Sequence, residues 1–358
     1  MSSNSGENWQ KLGGNFPVVP VYDLKIKQDD LVVATHGRSF WILDDLTPLR
    51  KFASKSSGSK NVDSGDVQFF VPRTTYRRTL NWSVNLFLGD GKNYSPDFGL
   101  PGTHYLETTA EGEKRFRYLD MGENPPEGVI VNYFLESIPD QPLELIILDA
   151  GGMEIEHFSS KIPDSDPKEI GDKQEEEKPN LPLKLGFNRF VWNMHYPGPE
   201  VKIDKALEKP GYQQLGRIAP FGGGSSSGPV ASPGNYQAQL KLGKHEITHS
   251  FEIIKDPRLK TTAEDFSAQF ELWSKIRNSV SAINSAINKV RKINLQITEL
   301  LSRDIFSGTD SEKALTAVRK AAELLMKNFS EIENQLTQNQ YETPSDRLRH
   351  PTMLKERM

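Results

Sequence analysis

Apolar residues along this chain recur with a period near two as far as residue 255, and near 3.5 beyond it. In the first fifty residues, Val18–Ile26 (VVPVYDLKI), Leu31–Thr35 and Ser39–Leu46 predict three short strands. A tight His36-Gly37-Arg38 turn joins the last two, with glycine relieving the steric cost of a positive φ. A meander this small needs a partner face to bury against. Residues 51–66 (KFASKSSGSKNVDSGD) read as a polar linker. Residues 67–73 (VQFFVPR) then predict a strand, and Asn93–Tyr105 a stretch dense in Pro, Gly and aromatics.

Between about 128 and 255 the pattern is that of an antiparallel, Ig-like β-sandwich, assigned to residues 67–257. Its expected strands are Val129–Leu135, Leu143–Leu148, Met153–Phe158, Asn188–Asn193, Asn235–Leu242 and Thr248–Ile254. Two segments interrupt them: an acidic stretch at 161–180 expected to be disordered, and a flexible tip at 221–228 (FGGGSSSG).

Past Asp256-Pro257, a row from Phe266 through Trp273, Ile283 and Val290 to Leu300 keeps steps of mostly three and four. That heptad seam predicts a helix of about 40 residues, roughly 60 Å long. Thr261 or Thr262, ahead of Glu264 and Asp265, supplies its N-cap. Gly308 breaks the helix, and a second seam follows: Leu315, Val318, Ala322, Leu325, Phe329, Ile332 and Leu336. The expectation is a long antiparallel helical hairpin over 258–340, with a truncated tail at 341–358.

Composition narrows the chemistry. The absence of cysteine excludes disulfides, thiolate metal sites and cysteine nucleophiles. A net charge of −4 gives no electrostatic reason to expect a nucleic acid or an anionic membrane as partner. No apolar run approaches a membrane span. MSSNSGENWQ lacks the pattern of a signal peptide, so export would need a leader upstream of this chain.

His245-Glu246-Ile247-Thr248-His249 matches H-E-x-x-H in form. The zinc site needs both histidines on one helical turn. Here the motif sits between strand patterns, where residues four apart are separated by about 13 Å. It is read as a coincidence, and no metal or cofactor is expected. No paired carboxylates, G-x-S-x-G or Walker loop stand out.

His36, Arg38, Trp41, Asp44 and Asp45 gather around the first hairpin. One reading makes them a polar rim where a sugar or peptide binds, with His36, Arg38, Trp41 and Asp44 as the ligand-binding residues. The other has His36 and Arg38 fixing the turn and Trp41 filling a core. The second is favoured, since aromatics in short strands usually fill cores.

Asp30–Arg50, DLVVATHGRSFWILDDLTPLR, resembles the closing blade of large bacterial proteins with sortilin-like (VPS10-type) BNR-repeat propellers, often labelled glycosyl hydrolases. The resemblance continues through Phe70-Val71-Pro72-Arg73, Asn188–Met194, Tyr196–Glu200, Pro233–Tyr236 and Lys255–Arg258, and so spans nearly the whole chain. It implies a multidomain protein, mainly β with a C-terminal α part. Residues 1–50 would be a partial β-propeller blade whose neighbours lie upstream, followed by the sandwich and the hairpin. The parent would be extracellular or periplasmic, and the upstream propeller of the same polypeptide would be the main partner of this region. The S-x-D-x-G-x-x-W repeats are missing here, so any site at the propeller centre is missing too. The function expected is a non-catalytic accessory region that supports the propeller or its glycan or peptide ligand. The alternative is the C-terminal part of a glycoside hydrolase whose active site lies on that propeller.

Overall fold

The computed structural model describes residues 2, 5–9, 11, 16–55, 67–78, 91–93, 104–108, 114–118, 126–160, 179–207, 228–302, 312–340 and 349–357. Residues 56–66 of the expected linker, 161–178, 221–227 and 341–348 fall outside this set. The chain is mainly β with a C-terminal α part and divides into two compact units. The first comprises 1–78, 104–194 and 233–259, and the second 79–103, 195–232 and 260–358.

The first unit begins with a three-stranded antiparallel sheet, β1 (Val21–Lys27), β2 (Asp30–Thr35) and β3 (Phe40–Leu43). Gln28 and Asp29 join β1 to β2 with positive φ at both positions, 51° and 66°. This is the type I′ geometry that matches strand twist, and it usually selects Asn-Gly. Contacts from elsewhere in the unit hold it here. Arg73 donates to the Gln28 carbonyl and to the Asp30 carboxylate, and Arg50 pairs with Asp29. Helix α1 (Thr47–Lys55) follows. Residues 51–55, expected in the linker, therefore continue a helix, and Phe52 meets Phe134 and Phe187 at ring distances of 4.8 and 5.5 Å.

The strands that follow along the chain are β4 (Val67–Phe69), β5 (Thr75–Arg77), β6 (Gly91–Asn93, in the second unit), β7 (His104–Thr108), β8 (Lys114–Tyr118) and β9 (Val129–Leu135). They are succeeded by β10 (Leu143–Asp149), β11 (Glu154–Ser159), β12 (Gly186–Trp192), β13 (Gly234–Leu242) and β14 (His245–Lys255). One sheet has the order β11-β10-β13-β14-β5 and another β12-β9-β4. On β9, Val129, Val131, Tyr133 and Leu135 alternate buried with half-buried neighbours, as a strand with one face in a core must. Rings bridge the two sheets: Trp192 meets Phe251 at 6.3 Å and Tyr236 at 6.0 Å, and Phe190 meets Phe158 at 4.7 Å. Trp192 and Tyr133 are fully buried, and the Tyr133 hydroxyl is satisfied by donating to the Pro182 carbonyl. Gly128, at φ 134°, lets the chain pass the Trp192 carbonyl, which any Cβ there would overlap.

Just past β14 lies Asp256, whose carboxylate accepts from the Arg258 guanidinium at 2.9 Å and the Arg258 amide at 3.0 Å. These bonds hold its carboxyl down at about 2.

In the second unit, α2 (Ala263–Ser302) is 40 residues long. Its start is a reciprocal capping box: the Asp265 amide donates to Thr262 Oγ1 at 3.2 Å, and the Thr262 amide to Asp265 Oδ2 at 2.9 Å. Helix α3 (Glu312–Leu336) follows, and Arg291 on α2 pairs with Glu333 on α3 at 2.8 Å. Two differences from the sequence reading stand out. Residues 195–232, assigned to the sandwich, group with the helices. The α3 seam also splits: Ala322, Phe329 and Leu336 are half-buried, while Val318, Leu325 and Ile332 are exposed.

Candidate functional site

The four candidate ligand-binding residues all lie on the first sheet, but at different places. His36 and Arg38 occupy the β2–β3 turn, Trp41 sits mid-strand on β3, and Asp44 follows the far end of β3. The turn is closed by local bonds. Thr35 Oγ1 donates to the Ser39 carbonyl at 2.6 Å, and the His36 amide donates to the Pro20 carbonyl at 3.0 Å. The His36 ring leans on Tyr22 at 5.1 Å. Trp41 Nε1 donates to the Arg38 carbonyl at 3.0 Å, and the Trp41 ring meets Phe16 edge-on at 5.5 Å. These contacts are those of a residue that fixes a turn. His36, Arg38 and Trp41 thus form one group.

Asp44 belongs to a second group at the opposite end of the sheet. Strand β3, four residues or about 13 Å long, lies between the turn and Asp44, and Trp41 within it stands three residues, about 10 Å, from Asp44. There, the Asp45 amide donates to Asp30 Oδ1 at 2.9 Å and Arg73 Nη1 donates to the same oxygen at 2.6 Å. Burial pushes the Asp30 carboxyl up, but the hydrogen bonds from Arg73 and the Asp45 amide outweigh it and hold the group below its ordinary value. Asp44 goes the other way. Burial and the neighbouring Asp30 raise its carboxyl, with Arg189 and Arg73 opposing. Asp44 has the same charge sign as both neighbouring carboxylates.

Sequence reasoning missed Arg73 and Asp29, because their partners are distant in sequence and only the turn geometry brings them together. It also missed a polar ladder on α2. Asn284 and Asn288 donate to the carbonyls of Val201 and Lys202, each at 2.8 Å, and Arg291 donates to that of Leu207 at 3.0 Å. The spacing i, i+4, i+7 was legible as one helix face, but nothing in the sequence said that backbone carbonyls would meet it.

His245 and His249 lie on β14, opposite Leu242 and Ala238, and His249 Nε2 is 3.2 Å from the Phe69 carbonyl. Their extended spacing does not let both imidazoles reach one ion. Among the described residues, no helix is long and apolar enough to cross a membrane.

The register sorts the first sheet by face. Leu24, Ile26, Leu31, Val33, Trp41 and Leu43 share one face, since directly opposed residues point the same way. Only Val33 among them is buried, while Leu24 and Ile26 are 59% and 53% exposed. The two edges differ as well. Edge strand β1 carries Lys25, Lys27 and a register irregularity between Val21 and Asp23, all of which discourage strand addition. The opposite edge, Phe40-Trp41-Ile42-Leu43, has no charge. No family model, curated protein or solved structure matches the chain.

Proposed function

We propose that this chain is a non-catalytic accessory region of an exported sortilin-like BNR-repeat β-propeller protein, and that it supports the propeller through its first sheet. The observation that carries the reading is the apolar face of β1–β3, whose β1 residues Leu24 and Ile26 stay exposed. A meander of three strands is unstable with both faces in water, and propeller blades are four-stranded and bury such faces against the next blade. The unguarded β3 edge is where a fourth strand would pair. In this reading the sheet is a partial blade, the two facing sheets of the first unit are an Ig-like sandwich, and α2 with α3 is a coiled-coil-like hairpin. His36, Arg38, Trp41 and Asp44 then belong to the blade, and ligand contact there is limited to the turn end.

The test is to express the chain alone and joined to its upstream coding sequence, and to assay both on a glycan and peptide panel for binding and hydrolysis. Activity confined to the longer form is the expected result. Hydrolysis by that form alone would make the parent a glycoside hydrolase with this region as its support. Turnover by the chain alone would overturn the reading.

A further inference from the structure

Helix α3 carries two apolar rows, and α2 accounts for one of them. The less exposed positions, Ala322, Met326, Phe329, Glu333 and Leu336, advance by four, three, four and three, and Glu333 meets Arg291 of α2. At 100° per residue, the row Val318, Leu325 and Ile332 lies about 60° round the helix. These three are 53%, 42% and 47% exposed, and Ala317, Ala321 and Leu324 beside them are exposed too. No charged residue falls within this arc. A seven-residue repeat of branched aliphatics on an uncharged stripe is the pattern of a helix seam.

The stripe is symmetric about its middle. Val318 and Ile332 each stand seven residues from Leu325, and Lys320 and Glu331 lie on one flank, five residues before it and six after. Two α3 helices laid antiparallel about Leu325 would therefore set Val318 against Ile332 and Leu325 against itself. Lys320 would fall within one residue of Glu331, about 1.5 Å along the axis, twice. Laid parallel, the same flanks of the two helices would lie on opposite sides of the pair, and neither of these ion pairs would form. Charge complementarity thus points to a second copy laid antiparallel.

We propose that α3 is a self-association surface at which two copies of this chain pair antiparallel across a two-fold axis at Leu325. The contact is isologous, each copy offering the same stripe, along a helix of 25 residues or about 38 Å. It is independent of the propeller reading, which concerns the other unit.

Sedimentation equilibrium of the whole chain over about a hundredfold range of concentration tests it. The expected result is a monomer–dimer equilibrium that Leu325→Lys abolishes, with helical circular dichroism unchanged because the position is exposed. Leu295→Lys, at an exposed position on α2, should leave the dimer intact. Lys320→Glu should weaken the dimer about tenfold, since two attractive pairs become repulsive, and adding Glu331→Lys should restore it. A wild-type chain that stays monomeric would overturn the proposal and leave the stripe to a helix of a different protein. So would a dimer indifferent to Leu325→Lys, or a double variant that fails to recover.

Discussion

Asp44 shows what a single carboxyl does to stability when its neighbours share its charge. Burial and Asp30 raise its folded value above the ordinary 3.8, so the ionised form is disfavoured in the fold. At neutral pH the group therefore subtracts from stability, and stability recovers as pH falls through the raised value. Below the unfolded value near 3.8 it changes no further. Asp44→Asn should melt higher than wild type at neutral pH, with the gap closing on acidification. Melting temperature measured against pH checks this, and a gap independent of pH would reassign the effect to packing. A role for Asp44 in ligand contact was legible only as proximity in sequence to Trp41. The structure places Asp44 just beyond the end of β3, three residues or about 10 Å of extended chain from Trp41.

At the scale of elements, α2 and α3 contrast apolar and polar specification. The α2 row Ile283, Ile287 and Val290 is buried, and the heptad reading anticipated it. The charged contact between the helices was not anticipated, since Glu333 replaces an apolar residue in the half-buried row of α3. Arg291 and Glu333 are only 12% and 4% exposed. Removing one partner leaves the other charge buried, which costs about 3 kcal/mol or more. Arg291→Ala should lose about that much in chemical denaturation, the larger part from stranding Glu333. Arg291→Met with Glu333→Leu should recover most of it. Had the pair been a solvated ornament, the single variant would cost well under 1 kcal/mol. The same arginine donates to the Leu207 carbonyl, so the ladder that fastens 201–207 should loosen too, visible as faster amide exchange in that segment.

At the scale of the molecule, the first sheet joins the rest of its unit by one end rather than by a face. Arg73 and Arg50 hold the β1–β2 turn, and Phe52 of α1 meets Phe134 and Phe187, while the Leu24–Ile26 face stays open. A charge placed on that face should therefore cost the isolated chain almost nothing. Ile26→Lys is expected to change unfolding free energy by less than about 0.5 kcal/mol, whereas Val33→Lys, at the buried position of the same face, should cost several times more. Equal losses from both variants would mean that the face is covered within the chain itself.

The sequence by itself determined the local matters: where strands give way to helices, the strand that carries His249, an N-cap at Thr261 or Thr262 and the apolar row of α2. Each follows from side-chain periodicity or from bonds between residues a few positions apart, which are properties of the chain before it folds. Tertiary structure alone decided the rest. It joined Arg73 to a turn 45 residues away, grouped 195–232 with the helices, and left one row of α3 in water. Those outcomes depend on which faces meet, and hydrophobic periodicity fixes the existence of a face without naming what covers it.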